Sequence, residues 1–76
     1  MKAILEFNLP DDNAEFLLAT HASRWYSALY ELDQHLRSRL KYEEGLSDSA
    51  DEALDQTRTK LHEIMSENHI SFDDVQ

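Results

Sequence analysis

Two groups of side chains in this 76-residue sequence have types and spacings that could support chemistry. The first is His62-Glu63, which begins like the HExxH motif of zinc proteases. That motif needs a second histidine one helical turn after the first, and the next histidine here is His69. Metal sites need several converging ligands. The sequence therefore predicts no metal site, no catalytic residue and no cofactor, and indicates a protein that is not an enzyme.

The second group is an aromatic and cationic row beside a leucine stripe in the segment LYELDQHLRSRLKY. Around a helix this row lies about 60–120° from the leucines. Aromatic rings there could stack on a nucleotide base while cationic groups pair with its phosphates. The candidate ligand-binding residues are Trp25, Tyr26, Tyr30, Arg37 and Lys41.

The same row has a simpler interpretation, which the sequence favours. The tyrosines would cover the edge of a core, and Arg37 and Lys41 would pair with acids of a neighbouring helix such as Asp55 or Glu63. Ion pairing between antiparallel helices needs no further assumption. The row is therefore interpreted first as a helix flank and second as a ligand site.

The composition bounds the class of protein. Sixteen acidic against seven basic residues give a formal charge of -9, which disfavours direct binding to a nucleic-acid backbone or an anionic membrane. It suits solubility or a basic protein partner. There is no cysteine, so disulfides and thiolate metal sites are excluded. The N-terminus lacks the features of a signal peptide, and the sequence predicts a soluble intracellular protein.

The hydrophobic pattern predicts a mainly α fold in one domain, residues 1–76. Alternating apolar residues over 2–9 indicate a short β-strand, and Pro10 ends it. A helical region is expected over 12–43, with a break near 20–22 left open. A second long helix is expected over 49–67 and an extended tail over 68–76. The short connection makes the two long helices an antiparallel hairpin.

The predicted core follows the 3.5-residue repeat of the first long helix and the apolar face of the second. It consists of Trp25, Leu29, Leu32, Leu36 and Leu40 against Leu54, Leu61, Ile64 and Met65, with Phe16 and Leu18 at one end. A single copy of so small a chain builds a marginal core. The sequence therefore predicts a homo-oligomer.

An unpaired strand over 2–9 invites a second chain, because its backbone donors and acceptors need partners. Two copies running antiparallel around a two-fold axis would complete the ladder. The candidate interface residues are Ile4, Leu5, Phe7 and Leu9.

Three segments, FNLPDDNAEF, ALYELDQHLRSRLKY and KLHEIMSENHISFDD, are spread over almost the whole chain. They resemble a group of small acidic proteins encoded by tailed bacteriophages. The resemblance implies an accessory protein in the cytoplasm of the infected bacterial host, acting by binding. Such a protein would inhibit a host defence or nucleic-acid-handling protein. The alternative from the aromatic row is an oligomeric sponge that sequesters a signalling nucleotide.

Overall fold

The computed structural model describes residues 1–75, which contain three α-helices and one terminal 3-10 helix. The helices are α1 (Asn13–Thr20), α2 (Ala22–Tyr42) and α3 (Asp48–Glu67), followed by the 3-10 helix Phe72–Val75. The mainly helical class predicted from the sequence is confirmed. The part of the tail prediction that falls on Gln76 lies outside the described residues.

α2 and α3 pack against each other in antiparallel directions. Tyr26, near the start of α2, donates a hydrogen bond to the carbonyl of Phe72, beyond the end of α3. Asp33, halfway along α2, contacts Arg58, halfway along α3. The five residues 43–47 connect the helices, and a connection this short keeps successive helices side by side. The result is a helical hairpin.

The ends of the long helices follow local signals. α1 and α2 are separated by one residue, His21, which is both the C-cap of α1 and the N-cap of α2. Beyond α2, Gly45 has a φ of +82°, a backbone conformation that glycine adopts without steric cost. The Ser47 hydroxyl accepts a hydrogen bond from the Ala50 N–H over 3.2 Å, so Ser47 caps α3 at its N-terminus.

The buried apolar core is smaller than the sequence predicted. Within residues 1–74 only Leu36 and Met65 are buried apolar side chains, whereas Trp25 is 61% exposed and Leu32 and Ile64 are each 45% exposed. The reason is geometric: one helix packed on one other helix buries only a narrow stripe. The other predicted core residues are half-buried, apart from exposed Leu18; they are Phe16, Leu29, Leu40, Leu54 and Leu61.

The predicted N-terminal strand over 2–9 is wrong. Residues 1–8 have no regular secondary structure, and Ile4 and Leu5 are 82% and 78% exposed. A strand needs the N–H and C=O groups of a neighbour, and no extended segment in the described part of this chain lies beside it. Phe7 packs edge-on against Phe16 instead, with ring centroids 5.7 Å apart.

The turn between this segment and α1 is closed by Asp12. Its carboxylate accepts a hydrogen bond from the Asn8 N–H over 2.9 Å, and its own N–H donates to the Asn8 carbonyl over 2.8 Å. The Asp12 side chain makes no capping hydrogen bond to α1. The Asp12 carboxylate therefore stabilises the preceding turn.

The end of α3 folds the tail back on the hairpin. The Ile70 N–H donates to the Met65 carbonyl and the His69 N–H to the Ser66 carbonyl, each over 3.0 Å. This is the pair of hydrogen bonds of a Schellman motif. His69 takes the position usually occupied by glycine, with a φ of +58°. The tail is consequently turned rather than extended, and Phe72 lies against α2.

The molecule is long and exposes a large surface. Its extents are 53 × 28 × 20 Å and its radius of gyration is 17.1 Å, against about 11 Å for a compact domain of this length. Its accessible surface is 6547 Å², whereas about 4,800 Å² is typical of a compact monomer of its mass. Within residues 1–75, no helix has the length and apolar character needed to cross a membrane.

Candidate functional site

Tyr26 and Tyr30 belong to an aromatic cluster that holds the tail. Their rings stack with centroids 6.2 Å apart, and Phe72 packs edge-on against both, at 5.9 Å from Tyr26 and 5.5 Å from Tyr30. The Tyr26 hydroxyl donates to the Phe72 carbonyl over 3.1 Å. His62 contacts the same phenyl ring at 6.3 Å. These contacts occupy ring surfaces that the sequence offered to a nucleotide.

Trp25, the other aromatic member of the candidate ligand site, is largely exposed. It lines an apolar groove of about 280 Å³ together with Leu18, Leu29 and Ile70, and Tyr26 forms part of the same wall. The groove runs between the start of α2 and the returning tail. Trp25 and Tyr26 therefore share a concave surface of apolar character, and Tyr30 is not part of its lining.

The cationic members of the row, Arg37 and Lys41, do not line that groove. Arg37 is half-buried and Lys41 is exposed. In the described chain neither forms an ion pair with Asp55, with Glu63 or with any other acid. The expected ion pairs of Arg37 and Lys41 with acids of the neighbouring helix are therefore not formed in the described chain. One chain by itself does not bring the five candidate residues into a single pocket, and their role in ligand binding stays a prediction.

The ion pair that does join the two long helices runs from α3 to α2. Arg58 Nε donates to Asp33 Oδ1 over 2.9 Å, and Arg58 Nη2 reaches Oδ2 at 3.4 Å. His62 Nε2 lies 2.6 Å from the same Oδ1, and because an ionised carboxylate only accepts, the imidazole N–H donates. The Asp33 carboxyl is 4% exposed. Gln34 Nε2 also lies 3.4 Å from Oδ2, so four donors converge on one buried carboxylate.

This network keeps Asp33 ionised. Burial by itself would raise the pKa of Asp33, but the hydrogen bonds and positive charge of Arg58, together with the hydrogen bond of His62, hold that pKa below its ordinary value of 3.8. Sequence reasoning missed the network, since Asp33 lies beside the leucine stripe without any local motif. Its position about 60° from Leu36 around α2, on the side facing α3, is the signal that could have found it.

The Asp33–His62 pair is a carboxylate–imidazole hydrogen bond of the kind found in catalytic triads, but it uses Nε2, whereas the carboxylate of the Ser-His-Asp triad binds Nδ1. A triad also needs a nucleophile hydrogen-bonded to the second ring nitrogen. Ser66 and Ser71 line a cavity of about 400 Å³ beside His62, but no hydrogen bond joins either hydroxyl to His62 in the described residues. The same residues hold no cluster of three metal-ligating side chains. The hydrogen bonds of Arg58 and His62 to Asp33 join α3 to α2.

One end of the hairpin carries a concentrated negative charge. The six carboxylates between residues 43 and 55 are all exposed, and no lysine or arginine occurs in that range. Arg39 pairs with one of them, Glu43, over 2.6 Å. We call this group the acidic tip; it consists of Glu43, Glu44, Asp48, Asp51, Glu52 and Asp55.

The side of the hairpin away from Phe72 is apolar. A shallow groove of about 550 Å³ runs along α3 there, and its only charged lining residue is Lys60. The remaining lining residues are Ala53, Gln56, Thr57, Leu61 and Ile64. Leu32 is 45% exposed and lies on the corresponding flank of α2. Trp25 is also exposed and lies at the margin of that flank, since it lines the groove that contains Phe72 as well. We call the surface formed by Trp25, Leu32, Leu61 and Ile64 the apolar face.

The residues predicted to form an oligomer interface through the N-terminal segment are split between two environments. Ile4, Leu5 and Leu9 are exposed, the last at 56%, while Phe7 is half-buried against Phe16. Three apolar side chains of this segment are therefore free to meet another surface.

Comparison with known proteins finds no matching family model, no matching curated protein and no matching solved structure. The resemblance to proteins of tailed phages accordingly rests on the three sequence segments that carry it, and it stays a prediction.

Proposed function

We propose that this protein is a non-enzymatic, self-associating phage accessory protein that binds and inhibits a basic host protein concerned with defence or with nucleic acids. The acidic tip carries the proposal, because it places six exposed carboxylates at one end of an elongated hairpin. A concentrated field of one sign accelerates association with a surface of the opposite sign. The site of action is the cytoplasm of the infected bacterium.

Two features support binding through the tip rather than through the rest of the surface. Arg58 and the Asp33 carboxylate neutralise each other inside the hairpin, so this pair adds little to the external field. Two basic residues of α2 precede the tip. Arg37 is half-buried, so it contributes less to the external field, whereas Lys41 is exposed at the edge of the tip. Carboxylates spaced along the start of α3 imitate the phosphates that a nucleic-acid enzyme recognises.

The binding test is capture of partners from bacterial lysate by the immobilised protein, followed by mass spectrometry at low and high salt. The tip variant replaces Asp48, Asp51 and Asp55 by Asn. Its matched control replaces three exposed carboxylates elsewhere, Glu15, Glu63 and Glu67, by Gln and so changes the net charge equally. A basic partner retained by the wild type and the control, lost by the tip variant and released by salt supports the proposal.

Capture of no basic protein, or equal retention by the tip variant and its control, would overturn the role of the tip. Inhibition is tested separately by expressing the chain in bacteria that carry individual defence systems. A rise in the plating efficiency of a phage on one such strain, lost in the tip variant, is the expected result. Unchanged plating on every strain would contradict the anti-defence role.

The second candidate function is an oligomeric sponge for a signalling nucleotide. Exposure of Trp25 beside the apolar groove favours it, because an exposed indole offers a stacking surface for a base. In one chain Arg37 and Lys41 lie outside that groove, so the phosphates would be bound by residues of another subunit. Calorimetric titration with cyclic mono- and dinucleotides tests this candidate, and a panel without heat of binding excludes it.

A further inference from the structure

We propose that the apolar face is the surface through which two copies of this chain associate, as a two-fold symmetric bundle of four long helices. This inference rests on the self-association included in the proposed function and identifies its surface. The sequence predicted copies joined partly through strands at residues 2–9, with an additional helical interface around Trp25 and Leu29; here the helices provide the contact. The surface that covers the apolar face is the same face of a second copy of this chain.

The first argument is the area that the single chain leaves exposed. The accessible surface of 6547 Å² exceeds the roughly 4,800 Å² of a compact monomer of 8.9 kDa by about 1,700 Å². Obligate homodimers bury about 1,000–2,500 Å² on each partner. The excess, which also includes the surface of the irregular segment 1–8, is of the size that one protomer of a stable dimer contributes.

The second argument is that Leu32 of α2 and Ile64 of α3, both exposed apolar side chains, share one side of the hairpin. Phe72 marks the opposite side, because it contacts Tyr26 and Tyr30 of α2 and His62 of α3. At about 100° per residue, Leu32 lies about 120–160° around α2 from the two tyrosines, on the other flank. Trp25 lies between the two sides, because it also lines the groove that contains Tyr26 and Phe72.

The same rotation places Leu61 and Ile64 on the flank of α3 away from His62. The two flanks are adjacent because α2 and α3 are antiparallel neighbours. Trp25, Leu32 and Ile64 are 61%, 45% and 45% exposed. Trp25 and Leu32 lie about 10 Å apart along α2, so the apolar face covers the half of the hairpin that contains the start of α2 and the end of α3. Helix pairs bury such a surface by packing on another pair.

The third argument is the distribution of charge. A chain of net charge -9 repels its own copies, so an interface between copies should lack carboxylates. The groove along α3 contains none. The carboxylates of α3 all lie outside it; they are Asp48, Asp51, Glu52, Asp55, Glu63 and Glu67. The surface most suited to contact with another copy is thus the one from which negative charge is excluded.

A two-fold axis also accounts for the small core. Each protomer buries few apolar side chains by itself, with Leu36 and Met65 the buried ones in the described chain. Two hairpins packed face to face would enclose Leu32 and Ile64 of both copies between four helices. This second layer of helices would give so small a chain a core that is buried on both sides. In an isologous contact each copy supplies the same residues.

The test is molar mass by light scattering coupled to size-exclusion chromatography at micromolar concentration. We expect the wild type to have twice the chain mass of 8.9 kDa. The face variant, Leu32→Glu with Ile64→Glu, should be a monomer or should raise the dissociation constant by about tenfold or more. Its matched control, Ser38→Glu with Thr59→Glu, adds the same charge at exposed positions off the apolar face and should remain dimeric.

Circular dichroism shows whether the face variant keeps its helical fold. Leu32 and Ile64 are each 45% exposed in the single chain, so the face variant should keep its helical spectrum. If it unfolds, Trp25 gives an independent measurement, because it is the only tryptophan. On association its emission should shift to shorter wavelength and its quenching by acrylamide should fall, and both changes should reverse on dilution of the wild type.

A monomeric wild type would overturn both this inference and the self-association on which it rests, while leaving partner capture by the acidic tip as a separate result. A dimer that survives the face variant would overturn this inference alone. Dissociation of that dimer by Leu5→Glu would then assign the contact to the N-terminal segment. Tryptophan emission that is independent of protein concentration across the dissociation range would also overturn the proposed surface.

Discussion

Asp33 of α2 accepts a 2.9 Å hydrogen bond from Arg58 of α3, and its carboxyl is 4% exposed while the Arg58 side chain is 29% exposed. The carboxylate is thus the buried partner and the guanidinium reaches solvent. A buried carboxylate is tolerated only when donors surround it, so the pair permits one register between the helices and penalises others. His62 adds a further donor from one turn later on α3.

Asp33→Asn should lower the free energy of unfolding by about 1–3 kcal/mol, because it removes the charge that both donors address. Urea denaturation at fixed protein concentration measures the loss. Asp55→Asn, at an exposed carboxylate, is the control and should change stability by about 0.5 kcal/mol or less. Replacing the pair together, Asp33→Leu with Arg58→Met, should recover much of the loss. If the double variant recovers none of it, the network contributes more to stability than the mutual compensation of its charges.

The contribution of Asp33 should depend on pH in a defined direction. Its pKa in the folded chain is below 3.8, because the donors outweigh the opposing effect of burial. Its stabilising contribution is therefore complete above 3.8 and is lost as the pH falls through the lower folded pKa. The stability difference between the wild type and Asp33→Asn should be full at neutral pH and shrink below 3.8. A difference that persists in strong acid would contradict this.

His69→Gly should raise the free energy of unfolding by about 1 kcal/mol, because His69 has a φ of +58° that glycine adopts without penalty. Urea denaturation measures the gain. His69→Ala is the matched control and should produce no gain, since alanine retains the Cβ atom. A stabilisation of equal size by both substitutions would show that the histidine ring, rather than the backbone, carries the cost.

Leu36→Ala and Leu32→Ala should differ although both residues belong to one leucine stripe. Leu36 is 5% exposed and should cost about 2–5 kcal/mol when truncated. Leu32 is 45% exposed, so its truncation should cost less in dilute protein. If two apolar faces associate, the cost for Leu32→Ala should rise with protein concentration. Melting curves over a hundredfold range of concentration, about 1–100 μM, would detect this.

Arg37→Gln with Lys41→Gln should change stability by less than about 1 kcal/mol, since neither residue has an ion-pair partner among the described residues. Thermal melting measures this. Biological activity should be retained if these residues are only a helix flank. Loss of activity with an intact fold would instead identify them as an anion-binding pair and favour the nucleotide sponge.

The local sequence by itself determined the helices of this protein. The three- and four-residue spacing of leucines produces an amphipathic helix wherever the neighbouring residues allow one, and α2 and α3 lie where that spacing occurs. α2 ends at Tyr42, and Gly45 follows in the connection with a φ of +82°, a conformation that glycine adopts without steric cost. These signals act over a few residues along the chain, so they can be recognised without knowledge of the fold.

The tertiary structure alone decided which members of the leucine stripe are buried and which acid lies between the helices. Leu32 and Leu36 are equivalent in the repeat, yet only Leu36 faces α3 closely enough to be buried. Asp33 is buried because Arg58 and His62 reach it from another helix. The alternating residues 2–9 form no strand, since a ladder depends on hydrogen bonds from a neighbouring chain segment. Burial and pairing are relations between segments distant in sequence, and local periodicity does not specify them.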